Sequence, residues 1–239
     1  ALRSALKEND QVCAIILEII QGEGGLTTAS PSFLAAIQAE AKERDILIIV
    51  DEVQTGLGRT GRLLACQSTE LKPDIICLSK PLAAGLPLSA TVITAAVNAE
   101  IQPGDHGSTF GGGPVTTAVA NAVWKMITKP QFLAEVRGLA GVLESELRKI
   151  TADFPFCGTL KGEGMLRGFP LNLPSEGSGD PPIKQLMQAC LEKGLLILRS
   201  GDNVVRIAPP LIIREKEIQR GIRILRNCLE KLNTSTRSS

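Results

Sequence analysis

The sequence of 239 residues is poor in histidine and in aromatic side chains. It contains one histidine, His106, one tryptophan and no tyrosine. Its six cysteines stand singly, and no two of them have the C-x-x-C spacing of zinc and redox sites. These absences exclude the common histidine–cysteine metal sites, so we expect no metal ligands. We expect thiols that stay reduced and pack as small apolar side chains, as in intracellular proteins.

The sequence also lacks an excess of charge and any long apolar run. Its 26 basic and 25 acidic residues leave a net charge of +1, which favours neither nucleic acid nor a membrane surface as a partner. No apolar run approaches the roughly 20 residues that span a bilayer. The share of hydrophobic residues, 44%, is ordinary for a globular protein, and the length permits one large domain or two modest ones.

The first residue is Ala1 rather than methionine, and residues 1–10 resemble the polar end of a helix rather than a signal peptide. We therefore expect a chain that was cut from something longer or processed. A targeting peptide would lie upstream, so the sequence leaves a mitochondrial and a cytosolic compartment both open.

Two apolar runs in the first half of the chain end next to charged side chains. Residues 46–50 are followed by Asp51, and residues 75–78 lead to Lys80. Short β-rich runs before glycine-rich loops are typical of buried parallel strands, whose carboxyl ends form the ligand-binding edge of an open α/β sheet. We therefore expect Asp51 and Lys80 to face one crevice.

The remaining pattern predicts a fold of class α/β followed by a smaller α+β domain. In the first part, a strand over 12–20 and a helix over 31–44, with Ser30 as its N-cap, precede the strand at 46–50 as a βαβ unit. The other elements predicted there are a strand over 90–96 and helices over 115–127 and 130–150. In the second part we expect two strands within 157–172, a surface loop over 174–182, a helix over 182–193, strands over 195–198 and 204–208, a helix over 214–231 and a frayed tail over 233–239.

The charged strand ends permit several interpretations. Lys80 alone could be a solvated lysine, and the apolar run before Asp51 and Glu52 also fits the magnesium-binding strand of a P-loop ATPase. That second interpretation needs the string G-x-x-x-x-G-K followed by Ser or Thr, which the sequence does not contain. A lysine can form a Schiff base with an aldehyde, and a carboxylate opposite it suits the pyridine nitrogen of pyridoxal phosphate. Ser108 and Thr109, in a glycine-rich turn, suit either a phosphate or a plain turn.

Five strings together resemble one protein family. In their order and spacing they are similar to the C-terminal part of class III, fold-type I pyridoxal-phosphate aminotransferases of the acetylornithine/ornithine branch, over essentially the whole chain. The resemblance implies part of a large, mostly parallel α/β domain in residues 1–128 and a small α+β domain in residues 129–239. The strings are LEIIQGEGG at 17–25, DEVQTGLGRTG at 51–61, PDIICLSK at 73–80, HGSTFGG at 106–112 and VRIAPPL at 205–211.

The resemblance implies a role for each matching residue near the cofactor ring. Lys80 is implied as the Schiff-base lysine and as the acid and base that moves the substrate proton. Asp51 is implied to pair with the pyridinium nitrogen. Val53 is implied to pack on the ring face, and Gln54 to bond near the 3-oxygen of the ring.

The resemblance also implies shared active sites in a homodimer. Ser108 and Thr109 are implied to reach the phosphate of the cofactor held by the other subunit. Glu23 resembles a gating glutamate, and Arg206 the arginine that pairs with it or binds a substrate carboxylate. The alternative for Arg206 is an ordinary arginine at a strand end.

The sequence departs from the family pattern at three matched positions. Ile19 replaces a proline, Pro81 replaces a small residue after the lysine, and Gly113 replaces an asparagine. Pro81 removes a backbone donor beside the reactive amine and restricts the backbone of Lys80. The family's N-terminal segments, which supply most of the phosphate contacts, the aromatic side chain stacked on the ring and an arginine for the α-carboxylate, have no counterpart in this sequence.

The function implied is transfer of the terminal amino group of N-acetylornithine or ornithine to 2-oxoglutarate, giving a semialdehyde and glutamate. Two alternatives stay open: a truncated or split homologue with little or no activity alone, and an enzyme for another ω-amino acid such as 4-aminobutyrate. Amino-acid and oxo-acid substrates are the expected partners, with neither nucleic acid nor membrane.

Overall fold

The structure, a computed structural model, describes residues 1–9, 11–174 and 180–235. The chain forms two compact units. The first comprises Ala1–Ile19 and Ala29–Leu133, and the second comprises Ile20–Thr28 and Ala134–Ser239. The short segment Ile20–Thr28 therefore belongs to the unit whose other residues follow it by more than a hundred positions. The assignment of 1–128 and 129–239 to two domains stays a prediction.

The first unit is built on a four-stranded sheet with strand order β1-β2-β3-β4. β1 pairs with β2, and β2 with β3, in parallel, whereas β4 runs antiparallel to β3. This confirms the predicted α/β class with a mostly parallel sheet. The elements are α1 Leu2–Glu8, β1 Ala14–Leu17, α2 Pro31–Arg44, β2 Leu47–Asp51, a 3₁₀ helix Ala65–Ser68, β3 Ile75–Leu78, β4 Ala90–Ile93, α3 Ala95–Glu100 and α4 Pro114–Ile127.

The helix α2 has the ends that its sequence predicts. The Ser30 hydroxyl accepts the backbone N–H of Phe33 at 3.2 Å, and Pro31 occupies the first turn, where its missing N–H costs no hydrogen bond. The helix ends at Asp45, which adopts the left-handed conformation with φ 55°.

Helix periodicity alone places the charged Glu40 on the solvent face of α2, but the residue is buried. Its carboxylate accepts from Arg3 Nε at 2.7 Å and from Arg44 Nε at 3.2 Å, and these bonds hold the pKa of Glu40 below its usual value. The arginine of α1 is therefore the reason that the helix pattern alone misplaces this side chain.

The predicted strand over 90–96 is too long. Its last part begins α3, because the Thr94 hydroxyl accepts the backbone N–H of Val97 at 3.4 Å and acts as the N-cap of that short helix.

The second unit has a four-stranded antiparallel sheet with order β5-β6-β8-β7. The order of helices and strands confirms the predicted α+β arrangement. The elements are α5 Pro130–Asp153, whose first residues belong to the first unit, β5 Lys161–Glu163, β6 Leu166–Pro170, α6 Pro182–Glu192, β7 Leu198–Ser200, β8 Val204–Ile207 and α7 Glu215–Ser235.

Three of the predicted boundaries in this unit differ from the structure or fall outside it. The strand expected over 195–198 begins only at Leu198, because Gly194, with φ 78°, turns the chain and Leu195 donates its N–H back to Cys190 at 2.9 Å. The predicted tail is helical as far as Ser235, and residues 236–239 lie outside the described residues, as do residues 175–179 of the predicted loop.

The helices α5 and α7 each bury one apolar face. The buried side chains of α5 recur every three or four residues, which is the spacing of one helix face, and α7 repeats the pattern. They are Val136, Ala140, Leu143, Leu147 and Ile150 on α5, and Ile218, Ile222, Leu225, Leu229 and Leu232 on α7. Among the residues that the structure describes, no helix is long and apolar enough to cross a membrane.

Candidate active site

Asp51 and Lys80 follow the carboxyl ends of two adjacent parallel strands. Asp51 is the last residue of β2 and stands in register with Cys77 of β3, three positions before Lys80. The backbone N–H of Glu52 continues this pairing with a bond to the carbonyl of Cys77 at 3.0 Å. The sheet therefore brings the anion and the amine to the same edge.

The carboxylate of Asp51 is oriented by the loop that follows it. Its Oδ1 accepts the backbone N–H of Val53 at 2.8 Å, and the residue is half-buried. Val53 and Gln54 are themselves half-buried in this loop. The chain then turns at Gly56, where a Cβ atom would lie 2.8 Å from the carbonyl oxygen of Glu52, so only glycine fits.

Glu52, which has no predicted role at this site, is buried beside it. The exposed fraction of the residue is 1%, and its two oxygens accept the Thr55 hydroxyl at 2.7 Å and the backbone N–H of Cys66 at 2.8 Å. The two consecutive carboxylates thus have different surroundings. The Asp51 carboxylate lies at the edge of the sheet, whereas the Glu52 carboxylate joins two parts of the loop by hydrogen bonds. An acidic residue directly after an apolar strand was the available signal, but its contact with Cys66 depends on the path of the loop.

Lys80 lies in a tight turn whose two flanks are buried. The N–H of Leu82 donates to the carbonyl of Ser79 at 2.7 Å, which makes Lys80 and Pro81 the central residues of the turn. Leu78 and Leu82 pack in one apolar cluster with side chains of the loop and of α4, whereas Lys80 is exposed. The backbone of the lysine is therefore fixed while its amine stays accessible.

Ser108 and Thr109 lie in a different part of the first unit, in an exposed turn before α4. The carbonyl of Ser108 accepts the N–H of Gly111 at 3.3 Å, and that of Phe110 accepts the N–H of Gly113 at 3.3 Å. The turn presents both hydroxyl side chains at the surface of the chain.

Glu23 and Arg206 form an ion pair within the second unit. Arg206 Nη1 donates to the carboxylate of Glu23 and also to the backbone carbonyl of Gly22, the latter at 2.8 Å. The side chain of Arg206 is 11% exposed and that of Glu23 is 71% exposed. The guanidinium is therefore held in place by the protein, while its carboxylate partner reaches solvent.

Ser200 and Gly201, which no sequence motif indicated, hold the backbone around Glu23. The Ser200 hydroxyl donates to the carbonyl of Gly22 at 2.8 Å and accepts the N–H of Gly25 at 2.9 Å, and the N–H of Gly201 donates to the carbonyl of Glu23 at 2.7 Å. The partners lie more than 170 positions apart along the chain, so no local signal could have found them.

The residues at the edge of the first sheet fit pyridoxal phosphate by their chemistry. An accessible primary amine matches its aldehyde, and a carboxylate already oriented by a backbone N–H matches a basic ring nitrogen. In the described parts of the chain, no group of three or more histidine, cysteine, aspartate or glutamate side chains could hold a metal ion.

Comparison with known proteins identifies the family. The family model described as Aminotransferase class-III matches residues 1–229. The chain belongs to the class-III aminotransferases. The acetylornithine/succinyldiaminopimelate aminotransferase of Photorhabdus laumondii is 37% identical over 224 residues, which are 94% of this chain and 55% of that protein. The acetylornithine aminotransferase of Aquifex aeolicus is 39% identical over 221 residues, 92% of this chain and 55% of that protein.

Solved structures of class-III aminotransferases agree with the fold. The acetylornithine aminotransferase of Elizabethkingia anophelis superposes with a TM-score of 0.86 and 33% identity, over 97% of this chain and 60% of that chain. The ornithine aminotransferase of Toxoplasma gondii gives a TM-score of 0.86 and 33% identity, over 99% and 55% of the two chains. The predicted family is thus confirmed, and it replaces the ATPase interpretation. Class-III aminotransferases are in general pyridoxal-phosphate-dependent, and this chain spans about half the length of the curated relatives it matches.

Proposed function

We propose that this chain carries the lysine and the ring-binding carboxylate of an aminotransferase for N-acetylornithine or ornithine. The terminal amino group of the donor passes to 2-oxoglutarate, giving a semialdehyde and glutamate. The observation that carries the proposal is the placement of Asp51 and Lys80 after adjacent parallel strands, in a chain that matches the class-III family over residues 1–229. The names of its relatives support the choice of donor.

The residues at the edge of the first sheet would divide the chemistry between them. When bound, pyridoxal phosphate supplies an aldehyde that takes up an amino group and a ring that withdraws electrons. Lys80 would bind the aldehyde carbon through Nζ and, once released, would move the proton between the substrate carbon that bears the amino group and the aldehyde carbon of the cofactor. Asp51 would keep a proton on the ring nitrogen, with its Oδ1 fixed by the N–H of Val53. The side chains of Val53 and Gln54 would bind the ring face and the ring 3-oxygen.

The other candidate residues would serve the phosphate and the substrate. Ser108 and Thr109 would bind the cofactor phosphate of a second subunit in a homodimer, which their exposed turn permits. Arg206 would receive a carboxylate of the oxo-acid or glutamate, and Glu23 would neutralise it when the substrate carries no carboxylate there.

The direct test is the absorbance of the purified chain mixed with pyridoxal phosphate. We expect a band of lysine-bound cofactor that disappears in Lys80→Ala and persists in Lys72→Ala, an exposed lysine of the same unit. A band that persisted in Lys80→Ala would remove Lys80 from its role. N-acetylornithine, ornithine and 4-aminobutyrate are then added in separate experiments. The amine that changes the band most rapidly identifies the preferred donor.

A second candidate function has its own support. The chain spans about half the length of its relatives, and Pro81 follows the lysine, so a homologue with little activity alone is the alternative. Absence of any band with the wild-type chain would favour that alternative. Recovery of the band on adding the part of a relative that this chain does not match would identify a split enzyme.

A further inference from the structure

Ser200, the last residue of β7, forms hydrogen bonds through its hydroxyl with two residues of one short segment. It is 1% exposed, and its hydroxyl contacts the backbone on both sides of Glu23, at Gly22 and at Gly25, which are both buried. A serine hydroxyl has one proton to donate, and here it donates to a carbonyl and accepts an N–H. The side chain of Ser200 therefore acts as a clamp on the segment that carries Glu23.

The carbonyl of Gly22 is shared by two donors. The hydroxyl of Ser200 and Nη1 of Arg206 both donate to it, each at 2.8 Å. This oxygen therefore helps to hold the guanidinium in place. The second acceptor of Arg206 Nη1, the Glu23 carboxylate, is on a side chain that is 71% exposed and can rotate without moving the backbone.

We propose that Ser200 is a positioning residue for the substrate carboxylate site at Arg206. By fixing the Gly22 carbonyl, it keeps the guanidinium in place when the Glu23 carboxylate rotates away and a dicarboxylic substrate takes its position. A guanidinium that is already fixed loses less conformational entropy when it binds a carboxylate. The inference rests on the proposed function and adds to it a residue that selects dicarboxylates over other substrates.

The bonds from Ser200 would affect the affinity for dicarboxylic substrates more than the affinity for amine donors. A dicarboxylate such as 2-oxoglutarate would use the guanidinium directly, so its affinity depends on how well Arg206 is held. An amine donor without a carboxylate at this position would leave Arg206 paired with Glu23 and would make no ion pair with the guanidinium. Loss of the Ser200 hydroxyl would therefore raise KM for the oxo-acid much more than KM for the amine donor, with little change in kcat.

Binding of glutarate and butyramide to the full chain loaded with pyridoxal phosphate tests the proposal without turnover. Glutarate carries two carboxylates and no reactive amino or oxo group, and butyramide carries no carboxylate. We expect Ser200→Ala to weaken glutarate binding about five-fold, the effect of one net hydrogen bond, and to leave butyramide binding unchanged. Ser200→Thr, which keeps a hydroxyl, should restore most of the affinity.

The matched control is Thr27→Val. It removes another hydroxyl-to-carbonyl bond of the same segment, from Thr27 to Gly24 at 3.1 Å, and keeps the Ser200 hydroxyl that bonds to Gly22 and Gly25. We expect it to bind glutarate like the wild type. Amide hydrogen exchange should be faster at Gly25 in Ser200→Ala, since that amide would lose its acceptor.

Two negative results have different meanings. Wild-type binding of glutarate no tighter than butyramide would remove Arg206 from its proposed role and overturn this inference, whereas the proposed function itself is tested separately by the cofactor band of Lys80. Tight glutarate binding that stays unchanged in Ser200→Ala would overturn the inference alone, as would equal weakening in Thr27→Val.

Discussion

Glu52 accepts a 2.8 Å hydrogen bond from the backbone N–H of Cys66, fourteen positions further along the chain. The same carboxylate accepts the Thr55 hydroxyl at 2.7 Å. These bonds close the loop that also carries Val53, whose N–H orients Asp51. The loop beside the candidate active site is therefore held by a buried carboxylate, that of Glu52, which is used up in bonds within the loop.

Replacement of Glu52 should destabilise the first unit. Glu52→Ala leaves the N–H of Cys66 and the hydroxyl of Thr55 without their acceptor, so we expect the free energy of unfolding to fall by about 2–4 kcal/mol. Glu52→Gln, which keeps one carbonyl oxygen, should cost less. Urea unfolding measures both, with Glu70→Gln, an exposed glutamate of the same unit, as the control. Equal stability of Glu52→Ala and the wild type would contradict the importance of this network.

Two buried thiols should make the chain sensitive to alkaline pH. Burial, with Glu52 nearby, raises the pKa of Cys66 to about 12, and burial raises the pKa of Cys157 to about 12. A thiol with a raised pKa stabilises the folded state below the pKa of the unfolded chain, about 8.5, and this stabilisation is lost as the pH rises towards 12. We expect the free energy of unfolding to fall between pH 9 and pH 12.

The double variant Cys66→Ala, Cys157→Ala should show a shallower fall over the same range. The variant is less stable at every pH, so the slope and not the absolute stability is the measurement. Thiol labelling at pH 8 gives a second readout, since the exposed Cys13 should react first and the two buried thiols only on unfolding. Rapid labelling of Cys66 in the folded chain would count against the raised pKa.

The contribution of the Glu217 carboxylate to the stability of the fold should disappear at acid pH. Its carboxylate accepts from Arg214 Nη2 at 2.6 Å and from the Arg214 backbone N–H at 2.9 Å, and these bonds lower the pKa of Glu217 to about 2. A carboxyl with a lowered pKa stabilises the fold above its unfolded value, about 4.3, and this contribution disappears as the pH falls towards 2. Glu217→Gln should therefore lower stability at pH 6 but not at pH 2. Glu230→Gln, at an exposed position of α7, is the control.

Pro81→Gly should lower stability without removing the cofactor band. A proline restricts the unfolded chain, so we expect its replacement to cost about 0.5–1 kcal/mol in the free energy of unfolding. The flanks of Lys80, at Leu78 and Leu82, remain packed in the apolar cluster. A gain in stability instead would show that Pro81 strains the turn.

The strand ends and helix caps were predictable because their signals are local. Residues 46–50 and 75–78 are apolar runs bounded by polar side chains, and the structure has strands there, with Asp51 and Lys80 at one edge. The N-cap of α2 at Ser30 is read directly from four neighbouring residues.

The contacts that depend on distant parts of the chain were not predictable. Glu40 is buried because Arg3 reaches it from another helix, and Ser200 is buried because Gly22 and Gly25 lie against it. Periodicity assigns a polar residue to the surface and carries no information about a partner 37 or 178 positions away.

The membership of Ile20–Thr28 in the second unit has a consequence for synthesis on the ribosome. Gly22 must wait for Arg206, which is made 184 residues later. At about 5–20 residues per second, that delay is roughly 10–40 s. During this time the segment has been translated but its partners Ser200 and Arg206 have not, so its backbone is open to chaperones and proteases.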